Sequence, residues 1–598
     1  MLTTVDFETE AIVYNPVWKP PKPVGVAIRK SDGSSYYWAW GHPSGNNCSY
    51  ERAKAELEEV WDSPMLFHNA PFDLSVALVH MGMPWPKDPL HVYDTMFDLF
   101  LLDPYARSFS LKPSAERYLG MAPEERDAVK EWVLSNVQEA TGKTWGAYIA
   151  RAPGDLVGEY AKGDVVRTFA LHEHCHSQVI ELGMEAAYQR EQRLMPILAE
   201  GSRRGIDIDR EALQKDSVVY DGALIRSTNA IFKLLGQEFN LDSDQQLVAA
   251  LEANDAVVEW AYTDKGSKSV SRKTLNLKPE FKELKDLLGY RGMLNTCLGT
   301  FIHPWINLSQ FDGKLHPEWN STRGDRSLDK TNGTRTGRLS SSNPNFQNVP
   351  NGSDLIVPKG LPPLPQMRGY VLPPDGCVWL KRDFSAQEMR IMAHFAEGNL
   401  FDAFNENPDV DPHAMVQQII KEKLGLDLPR KSVKVTGFGI MYGMGAQAMA
   451  DSLDVIYAEA VNMKDAYYTA LPEIRQLSTA TKRRGQAGEA IGTWGNRRYK
   501  TEPNEKRDMS YKLLNYLIQG SGADQTKQSI IDWHDAKKPT DVFLATVHDE
   551  INIAAPIEDQ AAAMFRLRTA MDANRFDVPF RSEGFAGKNW EDIERYEA

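Results

Sequence analysis

Arg430-Lys431-Ser432-Val433-Lys434-Val435-Thr436-Gly437-Phe438-Gly439-Ile440-Met441-Tyr442-Gly443 is the stretch on which the reading of this chain turns. Arg430, Lys434, Phe438 and Tyr442 recur every four residues. On an α-helix each such step advances about 400° and 6 Å, so the four side chains form one slowly winding stripe about 18 Å long. The stripe runs from two cations to two aromatics. One reading is an amphipathic helix with core aromatics. The other is a nucleoside triphosphate laid along the helix, with phosphates against Arg430 and Lys434 and sugar and base against Phe438. A guanidinium forks onto phosphate oxygens and a lysine acts as a point charge, so the order of residues suits the second reading.

The surroundings of the stripe decide between them. Upstream, the apolar run Cys377–Leu380 predicts a strand leading into Asp383-Phe384-Ser385-Ala386-Gln387-Glu388-Met389-Arg390. Downstream, Val542–Val547 and Ile551–Ala555 flank His548-Asp549-Glu550, which reads as a hairpin. Asp383 and Asp549 on adjacent strands can hold two magnesium ions, which lower the pKa of a primer 3′-hydroxyl and clamp a triphosphate for in-line attack.

With these residues in this order, the chain resembles the family A DNA polymerases, the DNA polymerase I class, over about residues 185–598. Further matches are Thr336-Gly337-Arg338-Leu339-Ser340-Ser341, Pro344-Asn345-Phe346-Gln347-Asn348-Val349-Pro350, Asn515 with Gln519-Gly520, and the closing Gly587-Lys588-Asn589-Trp590. The resemblance implies a right-hand polymerase of palm, fingers and thumb. It implies Asp383 and Asp549 as metal ligands, Arg430, Lys434 and His413 on the triphosphate, Phe438 on the sugar and Tyr442 at the template-base position. Glu550 and Lys434 join the catalytic set, with His548 near the primer end. Arg338, Asn515 and Gln519 would donate to minor-groove acceptors common to all correct pairs, and Asn345 and Gln347 would also face DNA. Glu388 stands where the family places a block against a ribose 2′-hydroxyl, which favours deoxynucleotides over the ribonucleotides of single-subunit RNA polymerases. Three departures stand out: Ala386-Gln387 in place of Gln-Ile, Phe384 in place of tyrosine, and Gly437 in place of Asn or Thr.

At the other end, Leu2–Phe7, Val24–Ile28, Ser35–Trp40 and Met65–Phe67 read as strands and Tyr50–Trp61 as a helix. Asp6 and Glu8, two apart on a strand, share a face. Asp73 opens a helix after Asn69-Ala70-Pro71-Phe72, and Asp164 follows Tyr160 by one helical turn. Four carboxylates can hold two divalent ions about 3.5–4 Å apart, one activating water and one steadying a leaving oxygen. Over about residues 1–180 this set resembles the RNase H-like exonuclease domain of DnaQ-type proofreading enzymes. The resemblance implies Asp6, Glu8, Asp73 and Asp164 as ligands and Tyr160 as the residue that orients water; Asp94 also matches a family position. His172 and His176 share a helical face, but no fourth zinc ligand is evident, and a solvated helix end is the expectation there.

The expected architecture is therefore α/β and multi-domain: exonuclease over 1–184, thumb over 185–305, palm over 306–395 and 515–598, fingers over 396–514. The compact layout, with no 5′-nuclease domain expected ahead of Met1, is similar to phage replicative enzymes. Cofactors implied are two Mg²⁺ per site, with Mn²⁺ able to substitute. Partners implied are primer-template DNA, deoxynucleoside triphosphates, helicase-primase and single-strand binding protein, around a monomer.

Composition agrees with most of this. Of 598 residues, 42% are hydrophobic and 25% charged, as in a globular protein. No apolar run approaches the roughly 20 residues that span a bilayer, and Met1–Asp6 lacks the order of a signal peptide. Four scattered cysteines fit a reducing compartment, the cytoplasm of a bacterial host on the phage reading. The net charge of −14 runs against nucleic-acid binding. Local basic clusters answer it: Arg323, Arg326, Lys330, Arg335 and Arg338; Arg430, Lys431 and Lys434; Lys482–Arg484; Arg497, Arg498 and Lys500. The polar, Gly/Ser/Lys-rich stretch 261–275 reads as an exposed tip. A catalytically dead DNA-binding scaffold would have shed carboxylates, and all six candidate ligands are present.

Overall fold

The computed structural model describes residues 2–121, 124–263, 266–272, 274–322, 333–352 and 355–597. Arg323, Arg326 and Lys330, and part of the tip at 261–275, lie outside the described residues. Two five-stranded sheets organise the molecule.

The first is built from Thr3–Thr9, Pro23–Arg29, Ser35–Ala39, Met65–Phe67 and Val92–Asp94. The first three strands form an antiparallel meander, and Met65–Phe67 then runs parallel to Thr3–Thr9 with Val92–Asp94 parallel beyond it. Val5, Phe7, Val26 and Ile28 point to one core and Ala27, Tyr37 and Ala39 to another, as two-sided burial of a central strand requires. The long helix Gly154–Glu181 crosses this second face and carries Tyr160 and Asp164 to the edge of Thr3–Thr9.

The second sheet has Cys377–Phe384 at its centre, between Glu550–Pro556 and Ser582–Gly587, with Val542–Val547 and Ile593–Arg595 at the edges. All pairs are antiparallel. The strand begun by Cys377–Leu380 continues to Phe384, and register places Asp383 opposite Glu550. Val547 pairs with Glu550, so His548 and Asp549 form the hairpin turn, with His548 in the left-handed region at φ 58°. Helices dominate residues 396–535, as the pattern predicts. They include Pro412–Leu424, the stripe helix Arg430–Met441, Tyr457–Ala470, Pro472–Gln486 and Leu513–Ala536. A small hairpin, Ile491–Gly492 against Arg498–Tyr499, interrupts them.

The helix Glu185–Arg204 joins the two sheets. The sequence boundaries put it with the thumb, but Leu194, Ile197 and Leu198 share a core with Phe384, Phe543 and Ile553 of the second sheet. The four cysteines are free, and no helix among the described residues is long and apolar enough to cross a membrane.

Candidate active sites

In the second sheet, Asp383 and Asp549 line one cleft of about 700 Å³ with Glu388, His413, Arg430, Lys434 and Phe438. Asp383 comes from the central strand, Asp549 from the hairpin turn, Glu388 from the helix Gln387–Ala396, His413 from Pro412–Leu424, and the other three from the stripe helix. Burial raises Asp383 to about 7, with Asp549 and Glu550 pushing the same way; burial likewise raises Asp549 to about 6. Two carboxyls so placed resist ionising together, which is what a cation between them would relieve. Glu550 does not line the cleft. One of its oxygens accepts from Asn552 Nδ2 at 2.7 Å and Trp590 Nε1 at 3.0 Å, and the other pairs with Lys381 at 2.7 Å. It supports the turn from behind.

The stripe is helical as spaced. Its charged end is exposed, Phe438 is half-buried, and exposed Tyr442 caps it before Gly443 at φ 67°. Arg430 forks onto Asp411 Oδ2 through Nη2 at 2.6 Å and Nε at 2.7 Å. Asp411 also caps the helix Pro412–Leu424 by accepting from His413 and Ala414 N–H. Lys434 Nζ stands 5.9 Å from the Phe438 ring. His413 packs 5.9 Å from that ring; burial, with Arg430 and Lys434 adding, lowers it to about 4, so it is neutral.

Three residues with separate expected roles prove to be one unit. Arg338 donates to Glu388 Oε1 at 2.7 Å, and the Tyr442 hydroxyl donates to the same carboxylate at 3.3 and 3.4 Å. Gln519 also reaches the Tyr442 hydroxyl. Asn515 Oδ1 is buried without a hydrogen-bond partner among the described residues. Asn345 accepts from Gln347 N–H at 3.0 Å, and Gln347 donates to Leu339 O at 2.9 Å and Thr546 O at 3.4 Å, tying this loop to the hairpin strand. His548 is exposed beside them.

In the first sheet, carboxylate oxygens of Asp6, Glu8 and Asp164 lie within 4.8 Å of one another. Asp73, on the helix Ala70–Met81, stands next to them and accepts from Phe7 N–H at 2.9 Å. Burial raises three of these acids: Asp6 to about 7, with Asp164 adding, and Glu8 and Asp73 well above the carboxylate range. An all-carboxylate donor set of this kind suits a hard divalent cation. Sequence reading missed Lys112. Its ammonium bonds Asp164 and stands 3.7 Å over the Tyr160 ring. It lies 52 residues from Asp164 on the helix Leu111–Leu119, and no motif marks it.

Asp94 lies outside this cluster. It accepts from Asn69 N–H at 3.0 Å, Ala70 N–H at 2.8 Å and Met96 N–H at 2.9 Å, capping two helices. The expected solvated end at His172 and His176 is not found. His172 is buried, and both Nδ1 atoms lie 2.8 Å from the buried Asp98. Asp98 pins Thr95–Leu102 to the crossing helix.

A family profile described as DNA polymerase family A matches residues 210–592. The chain is 24% identical to the DNA polymerase DpoZ of Salmonella phage PMBT28, over 99% of this chain and 97% of that one. It is 25% identical to the DNA polymerase DpoZ of Vibrio phage phiVC8, over 96% and 93%. Against the thermostable DNA polymerase I of Thermus filiformis it is 28% identical, over 67% of this chain and 48% of that one. Among solved structures, the POL domain of Pol1 from M. smegmatis, in complex with primer-template DNA and dNTP, shares its fold. The TM-score is 0.76 at 22% identity, covering 98% of this chain and 95% of that one.

Proposed function

Because this chain belongs to DNA polymerase family A, we propose that its second-sheet cleft extends a primer 3′-hydroxyl from deoxynucleoside triphosphates, and that its first-sheet carboxylates remove mispaired 3′ ends. Template-directed DNA synthesis is the activity of the family. The observation that carries the site assignment is the cleft itself: two acids raised by burial and by neighbouring carboxylates face a helix whose cations lead to a sugar-sized aromatic.

Arg430 and Lys434 bind the triphosphate, the arginine exchanging Asp411 for phosphate oxygens. Neutral His413 donates or accepts a single hydrogen bond beside them. Phe438 receives the sugar, and Glu388, held by Arg338 and Tyr442, closes the space where a 2′-hydroxyl would lie. Gln519 and Arg338 would donate to minor-groove acceptors, with Asn515, Asn345, Gln347 and His548 also facing DNA. Asp383 and Asp549 would hold divalent ions here, and Asp6, Glu8, Asp73 and Asp164 would hold them in the first sheet, with Tyr160 orienting water. When bound, Mg²⁺ or Mn²⁺ would make the attacking oxygen acidic and neutralise charge on the phosphates. We assign residues 1–184 to the exonuclease, 185–305 to the thumb, 306–395 and 515–598 to the palm, and 396–514 to the fingers, the joining helix being shared with the palm. The likeness to two phage polymerases supports reading the chain as a phage-type enzyme, and replisome proteins are proposed partners.

The test is a primer-extension assay with Mg²⁺, run with and without the next nucleotide. Asp383→Ala and Asp549→Ala should each abolish extension and leave degradation of a single strand intact. Asp6→Ala with Glu8→Ala should do the reverse. Extension at wild-type rate in the first pair, or persistent degradation in the second, refutes the corresponding site.

A further inference from the structure

We propose that Lys112 is a positioning residue of the first-sheet site: its ammonium is a built-in counter-cation that holds Asp164 and Tyr160 and shares the carboxylates with the divalent ions. The inference rests on the exonuclease reading of that site. Its basis is geometric. Lys112 enters from the helix Leu111–Leu119, which packs on the crossing helix that carries Tyr160 and Asp164. Its ammonium bonds Asp164 Oδ2, and the same charge lies over the Tyr160 ring at 3.7 Å. Its side chain is only 10% exposed, so this is no mobile surface lysine.

Charge explains why a cation belongs there. Asp6, Glu8 and Asp164 bring three carboxylates within 4.8 Å, Asp73 adds a fourth, and the site is largely dry. Like charges at that spacing repel strongly when poorly solvated. Arg167 reaches Asp164 Oδ1 only at 3.6 Å and from its own helix. Lys112 comes from a different helix and is the closer cation to the cluster. By fixing both Asp164 and Tyr160, one turn apart, it couples a metal ligand to the water-orienting hydroxyl. Partners that orient ligands in this way change metal affinity or activity by about 10–100-fold when removed.

Two opposed changes follow. Removing the ammonium leaves the carboxylates to the metal alone, so metal should bind more tightly. Removing it also takes one restraint from both Asp164 and Tyr160, so cleavage should slow. The experiment uses full-length protein with Asp383→Asn and Asp549→Asn, which silence the second-sheet cleft. Mn²⁺ binding is followed by electron paramagnetic resonance without DNA, and degradation of a labelled single strand is followed at saturating Mg²⁺. We expect Lys112→Met to tighten Mn²⁺ binding at least threefold and to slow degradation at least tenfold. Lys112→Arg, which keeps the charge, should recover most of the rate. Wild-type rate and wild-type Mn²⁺ affinity in Lys112→Met overturn the proposal. So does loss of Mn²⁺ binding together with degradation, which would make Lys112 a purely structural support. If the protein with Lys112 intact does not degrade the strand, the exonuclease reading fails instead, and the Mn²⁺ comparison still reports on Lys112.

Discussion

Glu388 shows how much one residue type can encode and how much its neighbours add. The resemblance to family A polymerases implies that it is a block beside the sugar. The structure adds that its carboxylate is the meeting point of Arg338 at 2.7 Å and the Tyr442 hydroxyl at 3.3 Å. Glu388→Ala therefore does two things: it opens the space for a 2′-hydroxyl, and it releases two side chains from one anchor. Because an unpaired or misplaced polar group in such a site costs about 1–3 kcal/mol, the ribo-to-deoxy incorporation ratio should rise at least roughly tenfold. Overall rate should fall as well. Glu388→Gln keeps the bulk and one hydrogen bond, so its ratio should stay near wild type while rate falls. Competitive incorporation of matched ribo- and deoxynucleotides measures the ratio, and an unchanged ratio in the alanine variant counts against the block. Phe438→Tyr gives a second test at this scale. The added hydroxyl would stand in for the 3′-hydroxyl that a dideoxynucleotide lacks, so discrimination against dideoxynucleotides should drop at least about tenfold. Equal dideoxy-to-deoxy ratios in the two proteins would remove the sugar from this helix.

The stripe helix was legible from spacing alone, and its departure from the family at Gly437 acquires a cause only in the fold. A Cβ at Gly437 would stand 2.7 Å from the Tyr467 hydroxyl and 3.0 Å from Cζ. Tyr467 is fully buried on the neighbouring helix Tyr457–Ala470, where its hydroxyl also contacts Met389 Sδ at 3.9 Å. Glycine is thus the residue that lets the two helices close on each other beside Phe438, despite its cost of about 0.5–1 kcal/mol in a helix. Gly437→Ala should overpack this junction, destabilise the protein by about 1–3 kcal/mol and raise the KM for nucleotide. Tyr467→Phe in the same chain should recover part of both losses. A double-mutant cycle on unfolding midpoints checks it, and additive effects would mean the two positions do not touch. Other elements left no readable signal. The strands Ile491–Gly492 and Arg498–Tyr499 are two residues each, too short for any period. Buried Arg497 in that hairpin bonds Asp524 at 2.8 Å and pairs with Glu191 on the joining helix, contacts between segments about 27 and 306 residues apart. Lys112 and Asp98 were missed for the same reason: a lone charged residue carries no periodicity, and its partner is far along the chain.

Across the whole molecule the two sites share one electrostatic design, and it makes them answer to pH together. Asp6 and Asp383 are raised to about 7 and Asp549 to about 6, each by burial first and neighbouring acids second. In the unfolded chain these groups titrate near 3.9. Between about pH 4 and pH 7 the metal-free folded protein therefore binds more protons than the unfolded one, and its stability falls as pH rises through that window. Divalent ions reverse the sign of the problem. They require the ionised carboxylates, so their apparent affinity should rise with pH until about 7 and level off above it, with protons released on binding near pH 6. The expected result is a thermal shift on adding Mg²⁺ or Mn²⁺ that is large at pH 8 and small at pH 5. Asp383→Asn with Asp549→Asn should remove one part of that shift and Asp6→Ala with Glu8→Ala the other, since the two carboxylate sets sit on separate sheets with separate cores. Extension and degradation, measured at limiting metal, should both decline as pH falls through 7, and more metal should move each decline to lower pH. A metal-induced shift of equal size at pH 5 and pH 8, or a decline that more metal does not move, would show that these carboxylates are not what the ions bind.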